Sequence, residues 1–422
     1  MSFQETLKNN FENYLNLNKF SNVDFRKNHF QQFINEGFPT LKNESWKYTP
    51  LNFLYKYDFN IFSQNDEGNV NFDVLKEKIF IPKNANIITF VNGFYSSNFS
   101  TFTDLDNVKV TQNKSFENTT PNDQVLNSSL LSDVFYNLNC AFANQETQLN
   151  INSNSNPLVL ILYSKNHNES YFYNNRLTVN FAPNSSSEVF IYPMSDDSNP
   201  NFLNNYFYFN LHENSSTKVY FHQNEKDNFY QINNISINQA KSSNLKFYTF
   251  SMNGNFIRNF FRNSLNGEGI ESVLSGIYVA KNHQIIDNHI LMIHNSPFCH
   301  SNQMFKGILQ DNSRGVFNGK ILVQQKAQKT DAYQSNKNIL TTKDASIYTK
   351  PELEIYADDV KCSHGATSGF LQNEELFYLR ARGIDENIAK SLLLKGFAIE
   401  VVEKVENIQF KEWLYNEIDN SI

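Results

Sequence analysis

Cysteine is nearly missing from this chain: Cys140, Cys299 and Cys362 are the only three in 422 residues. Three thiols cannot build a disulfide framework, and none belongs to the paired-Cys pattern of a structural zinc site. An apolar leader is missing too. The opening residues, MSFQETLKNNFENYL, have neither the apolar core of a signal peptide nor the Arg-rich character of a transit peptide. The strongest apolar run, Pro157–Tyr163, is far too short to cross a bilayer. Blocks of basic residues are missing as well. Lys and Arg are dispersed, the formal net charge is −7 and the pI is about 5.8, so there is no nucleic-acid footprint. Nor is there a phosphate loop. Gly315–Lys320 has the wrong Gly spacing and no following Ser or Thr, and no GxGxxG element occurs. A soluble cytoplasmic protein is expected, with no membrane or nucleic-acid partner. Any ATP it depends on would be bound by another chain.

Aromatics and asparagine are abundant, with 39 Phe and 21 Tyr. AT-rich coding accounts for most of that, so composition favours β-structure only weakly. Periodicity is more informative. Residues 1–85 read as mostly helical: Phe3, Leu7, Phe11 and Leu15 recur every fourth position. Gly37-Phe38-Pro39-Thr40 interrupts that pattern, and Trp46 reads as a core or docking aromatic. From about Ile87 the period becomes two, as in Leu177, Val179, Phe181 and in Phe207, Phe209, Leu211. Turn clusters such as Asn253-Gly254 and Asn266-Gly267 separate these short segments. No exact repeat is visible. Gln324, Gln325, Gln328, Gln334, Asn336 and Asn338 nevertheless suggest amide ladders between stacked coils, which favours an irregular β-helix over a sandwich. The β-helix core is assigned to 86–368 and a C-terminal helical region to 369–422. In that last region Asn373 and Asp385 cap helices closed by Gly383 and Gly396, and Phe410, Trp413, Leu414 and Ile418 mark a further helix.

Cys362 and His364 stand at i and i+2, so on an extended segment they share a face, and thiolate with imidazole suits a soft metal or an iron–sulfur species. Spacing alone favours an ordinary half-buried thiol and a surface imidazole. Leu353, Ile355 and Ala357 also fall out of phase with Val360 and Cys362 unless a corner intervenes at Asp358-Asp359. Asp287 and His289 share a face, as His294 could, and a triad could be drawn from Asp287, His289 and Cys299, but buried structural roles fit these residues better. Arg380, Arg382 and Lys390 read as a solvated face that could serve for docking.

Longer words narrow the reading. SRGVFNGK at 313–320, AQKTDAYQSNKN at 327–338, KPELEIYADDVKCSHG at 350–365 and ELFYLRARG at 375–383 resemble the SUF iron–sulfur assembly scaffold family. The similarity is dense over 300–405 and returns near the start in GFPT at 37–40, ESWKYTP at 44–50 and FVNG at 90–93. Cys-Ser-His-Gly at 362–365 and the Trp-Lys-Tyr-Thr-Pro of 46–50 are similar to the D-subunit branch rather than the B-subunit branch. The resemblance implies a right-handed parallel β-helix flanked by helical regions. It also implies a non-enzymatic scaffold that pairs with SufB and docks the ABC-type ATPase SufC through its C-terminal helices. Leu376, Phe377, Arg380, Arg382 and Gly383 would then form the ATPase contact. His364 would be a candidate ligand of a transient iron–sulfur cluster shared with the B subunit, and Cys362 an accessory thiol. No tightly bound cofactor is expected on the isolated chain. Reduced flavin in the complex is implied, but no residue can be assigned to it. The sequence leaves a monomer and a homodimer equally open. The rival reading is a β-helix polysaccharide hydrolase or lyase. It lacks a signal peptide and an acidic dyad, since Asp358 and Asp359 are adjacent and so face opposite ways.

Overall fold

The computed structural model describes residues 3–61, 72–116, 133–165, 169–195, 199–225 and 228–422. Strands alternate between two ten-stranded sheets, and the long run of each sheet is parallel. Glu146–Ile151, Tyr171–Phe181, Asn201–Leu211 and every second strand thereafter build the first sheet, which ends at Ser346–Ile355. Asn86–Val91, Leu158–Ser164, Ser186–Ser195 and their alternates build the second, which ends at Lys361–Phe370. The chain is therefore a parallel β-solenoid, with one strand per coil in each sheet. Coil length varies: register partners are 26 residues apart at Tyr230 and Phe256 but 32 apart at Arg314 and Ser346. That drift hides the repeat from the sequence.

Local chemistry explains the winding. Asn184, Asn214, Ser242, Asn282 and Asp311 turn the chain between strands in the left-handed region, with φ of 59°, 57°, 55°, 55° and 51°. Asn and Asp tolerate that conformation better than other non-glycine residues. Side-chain amides then link the coils. Asn175, Asn205, Asn233, Asn259 and Asn288 form a buried ladder in which each Nδ2 donates to the next Oδ1, at 2.7, 2.6, 2.8 and 3.0 Å. A second ladder runs from Asn295 through Asn266, Asn238, Asn210 and Asn180 to Asn150. Ladders are thus present, but the long ones lie on Asn of earlier coils than expected. Of the expected residues, Gln334 donates to Gln303 of the preceding coil at 2.8 Å, and Gln328 accepts from the Asp359 amide of the next.

Apolar side chains fill the space between the sheets, including Leu160, Leu177, Ile191, Phe207, Phe247 and Ile321. Both outer faces are also covered, so central strands such as Leu158–Ser164 are buried along their whole length. The helix Phe3–Asn18 lays Phe3, Leu7, Phe11 and Leu15 into an aromatic layer with Phe172, Phe202, Tyr230 and Phe256 of the first sheet. The helix Val134–Phe142 lies within the span assigned to the β-core, yet it packs in this same layer. The helices Glu386–Val402 and Ile408–Ser421 cover the second sheet through Leu394, Val401, Phe410, Leu414 and Ile418. Gly396 does not close the first of these. It sits inside the helix, because burial of Ala398, Val401 and Val402 against the sheet carries the helix past it. Among the described residues no helix is long and apolar enough to cross a membrane.

The two ends of the solenoid differ. At the start, Phe94–Thr101 and Val108–Asn113 cap the sheets with antiparallel pairing. At the far end Ser346–Ile355 and Lys361–Phe370 are each the last strand of their sheet.

Candidate functional site

The word KPELEIYADDVKCSHG does not lie on one strand. Ser346–Ile355 finishes the first sheet, the chain turns through residues 356–360, and Lys361–Phe370 finishes the second. This is the corner required at Asp358-Asp359, and it resolves the phase conflict. Leu353, Ala357, Val360 and Cys362 all meet the inter-sheet core. In the last strand Cys362 pairs in register with Ala332, His364 with Gln334, Ala366 with Asn336 and Ser368 with Asn338. All four partners are buried, so the row carrying Cys362 and His364 continues the inward-facing row of the coil beneath. Among the described residues nothing covers the strand from beyond. Every residue of Lys361–Phe370 except half-buried Cys362 is exposed. Both donors therefore sit at the open mouth of the solenoid.

Burial pushes the Cys362 thiol up, and the neighbouring Asp331 carboxylate adds to that. Cys362 is thus a protonated thiol near neutrality until a metal or a cation displaces the proton. Among the described residues no three His, Cys, Asp or Glu side chains converge as a metal would need. One thiol and one imidazole cannot complete an iron–sulfur ligand set.

Behind the mouth the lumen turns polar. Gly319 makes room for the Gln334 side chain: a Cβ there would lie 2.1 Å from its Nε2. Among the described residues neither Gln334 Oε1 nor Gln303 Nε2, both buried, has a partner. Gln334 is expected as a ladder residue, but nothing in the sequence places it or Gln303 behind His364, which only the register shows.

The other expected cluster is dispersed. Asp287 and His289 are buried on the outer face of the first sheet, with His289 Nε2 2.9 Å from Asp287 Oδ1. Arg258 Nη1 pairs with Asp287 Oδ2, and Thr49 Oγ1 donates to that oxygen at 2.6 Å. Cys299 lies instead in the inter-sheet core, where it donates to the Gly267 carbonyl at 3.1 Å. His294 is not on the Asp287 face either. Alternation turns it inward, where its Nε2 bonds Ser301 Oγ at 2.9 Å. These residues hold the fold together, and no triad forms. A cleft of about 720 Å³ opens beside His289 along Trp46, Arg258, Lys320 and Lys350, and its lining includes neither Cys362 nor His364.

Beyond the mouth, the helix Asn373–Ala381 buries none of its residues. Phe377 is 73% exposed and Tyr378 56%, and exposed Phe370, Ile388 and Leu392 add to this apolar surface. Arg380 Nη1 lies 3.1 Å from Glu386, the Arg382 guanidinium lies over the Tyr378 ring, and Gly383 turns between the helices at φ 84°. Leu376 borders a smaller cavity with Phe370 and Leu394.

A family model described as "SUF system FeS cluster assembly, SufBD core domain" matches residues 163–397, which span the mouth and the exposed helix. The chain is 29% identical to the iron-sulfur cluster assembly protein SufD of Escherichia coli (strain K12), over 91% of this chain and 89% of that protein. It is 34% identical over 184 residues to an iron-sulfur cluster assembly SufBD family protein of Synechocystis, covering 44% and 41% of the two chains. It is 38% identical over 146 residues to protein ABCI7, chloroplastic, of Arabidopsis thaliana, covering 34% and 31%.

Proposed function

Since the chain belongs to the SUF-system SufBD family, we propose that it is a non-catalytic scaffold subunit of iron–sulfur cluster assembly, joined at its open mouth to a B-type subunit. The observation that carries this reading is the pair of bare terminal strands. Ser346–Ile355 and Lys361–Phe370 present unpaired backbone groups along one end of the solenoid, with Cys362 and His364 on the inward row of the second. An uncovered edge of this length is a template for another strand. A partner edge placed there would bring its own thiolates or imidazoles to the two donors already present. A cluster held by such a mixed, divided set is retained less firmly than by four thiolates, which suits a cargo that has to leave. His364, exposed and with no hydrogen bond from the described residues to hold it, is the cluster ligand on this side, and Cys362 is accessory.

The exposed helix Asn373–Ala381 is the docking element for the ABC-type ATPase SufC, through Leu376, Phe377, Arg380 and Arg382, with Gly383 setting the turn. It continues directly from the last strand, so movement of the helix is felt at the mouth. The setting is cytoplasmic, where all three free cysteines remain reduced. Reduced flavin would enter through the assembled complex. Co-expression with the B-type subunit and the ATPase, followed by size exclusion and subunit stoichiometry, tests the reading. A stable assembly of all three is expected, and a chain that elutes alone would overturn it.

A further inference from the structure

The word Glu44-Ser-Trp-Lys-Tyr-Thr-Pro50 has no place in the site just described, yet its side chains and backbone touch four successive strands of the first sheet. Trp46 is buried with the Arg258 guanidinium 3.8 Å from its ring centroid, on the strand Phe256–Leu265. Thr49 Oγ1 donates to Asp287 on Ile285–His294 at 2.6 Å. The Tyr48 carbonyl accepts from Arg314 Nη1 at 3.1 Å, on Arg314–Val323. The Tyr48 ring stacks on Tyr348 at 3.9 Å and 8°, and Glu44 pairs with Lys350 at 2.5 Å, both on the terminal strand Ser346–Ile355.

We infer that residues 44–49 are an axial staple that fixes the terminal strand Ser346–Ile355 against the coils beneath it. A last strand has a neighbour on one side only. Ser346–Ile355 also buries little, being half-buried or exposed at every position, so its own coil holds it weakly. The staple is anchored where the solenoid is firm. Arg258 and Asp287 are a buried pair, and loss of either would leave the other an unpaired buried charge. From that anchor the tyrosine stack and the Glu44–Lys350 pair reach the strand that needs support. The stack contributes most, because the Glu44–Lys350 pair is largely solvated. Tyr48 and Tyr348 are thus positioning residues for the mouth. That consequence rests on the docking reading above, whereas the bracing itself does not.

Hydrogen exchange on the full chain, alone and after co-expression with its B-type subunit, separates the two. In Tyr48→Ala and in Tyr348→Ala, amides of 346–355 should exchange roughly three- to tenfold faster, the range a stacked pair supplies. The double variant should go no further than either single one, since both remove the same contact. Glu44→Lys should act in the same direction more weakly, and adding Lys350→Glu should reverse it. Wild-type exchange in both tyrosine variants, or additive effects in the double, would overturn the staple whatever the partner does. Faster exchange with undiminished capture of the B-type subunit would overturn the positioning role alone. If the wild-type chain captures no partner, the docking reading fails and the exchange result still decides the staple.

Discussion

His364 stands one coil beyond Gln334 and in register with it, at the open end of the same inward-facing row. That placement separates its fate from the stability of the fold. An exposed imidazole with no partner among the described residues supports nothing around it, so its removal should be silent structurally. We expect His364→Ala to keep the unfolding midpoint of the wild type while cluster assembly by the proposed three-subunit complex falls at least about tenfold, a loss of roughly 1.4 kcal/mol in the rate-limiting step. Absorbance of the assembled cluster over time measures this. Assembly at the wild-type rate would remove His364 from the site.

Cys362 is the half-buried thiol of the three, Cys140 and Cys299 being buried. Its titration is displaced upward by burial first and by Asp331 second, so the reactive thiolate is scarce near neutrality. Alkylation by iodoacetamide should therefore be confined to Cys362 in the native chain. It should be slower than for free cysteine at pH 7.5 and should accelerate as the pH rises. Asp331→Asn removes the nearby negative charge and should speed the reaction at fixed pH. An unchanged rate in that variant would contradict the electrostatic contribution.

The buried asparagine ladder gives a contrast in stability. Asn233 accepts from Asn205 and donates to Asn259, so Asn233→Ala strands the buried Asn205 donor, while Asn259 Oδ1 keeps the bond it accepts from Gln223 Nε2. A loss of about 1–3 kcal/mol is expected. Asn238 occupies a similar rung of the partly buried ladder, where water replaces the lost partners, and Asn238→Ala should cost about 1 kcal/mol or less. Urea denaturation of both variants tests the difference, which would vanish if the ladders were ornamental.

Two glycines near the mouth should respond in opposite ways. A Cβ on Gly319 would press on Gln334, whose amide is held by Gln303, so Gly319→Ala should destabilise by about 1–3 kcal/mol. A Cβ on Gly369 meets nothing within 4 Å, so Gly369→Ala should stay within about 0.5 kcal/mol of the wild type. Equal midpoints for the two would count against the packing behind His364.

Burial holds the pKa of His294 down to about 4, with His300 adding to the effect. The folded imidazole is therefore neutral where its unfolded counterpart is already charged. Above the unfolded value, near 6.5, it adds no pH dependence. As the pH falls from there towards 4 the unfolded chain takes up the extra proton, and stability declines by about 3 kcal/mol before levelling off. Urea midpoints from pH 7 to pH 4.5 should show that slope, and His294→Asn should flatten it. A slope unchanged by the substitution would assign it to other groups.

Much of this architecture was legible in the sequence. The helical stripe of Phe3, Leu7, Phe11 and Leu15, the period-two strands and the terminal helix around Phe410 stand where their patterns put them, because each is a single amphipathic element. The Cys362–His364 pair shares a face as its spacing required. Continuity through Ala357 failed because the chain changes sheets there, and only the phase conflict betrayed the corner. Gly396 misled because a helix already pinned to a sheet tolerates a residue that would end a free one. The open edge itself left almost no trace. Gly365, Ala366, Thr367, Ser368 and Gly369 read alike for a covered strand and a bare one.

The asparagine ladder has a consequence for the length of the molecule. Each rung from Asn175 to Asn288 turns its donor toward the mouth and its acceptor toward the capped end, so any whole coil fits between any two others. A gain or loss of one coil leaves every amide matched, whereas part of a coil breaks the column. The reach from the capped end to the mouth is therefore quantised. Related chains should differ in height by whole steps of about 4.8 Å, the spacing of neighbouring strands, with nothing in between.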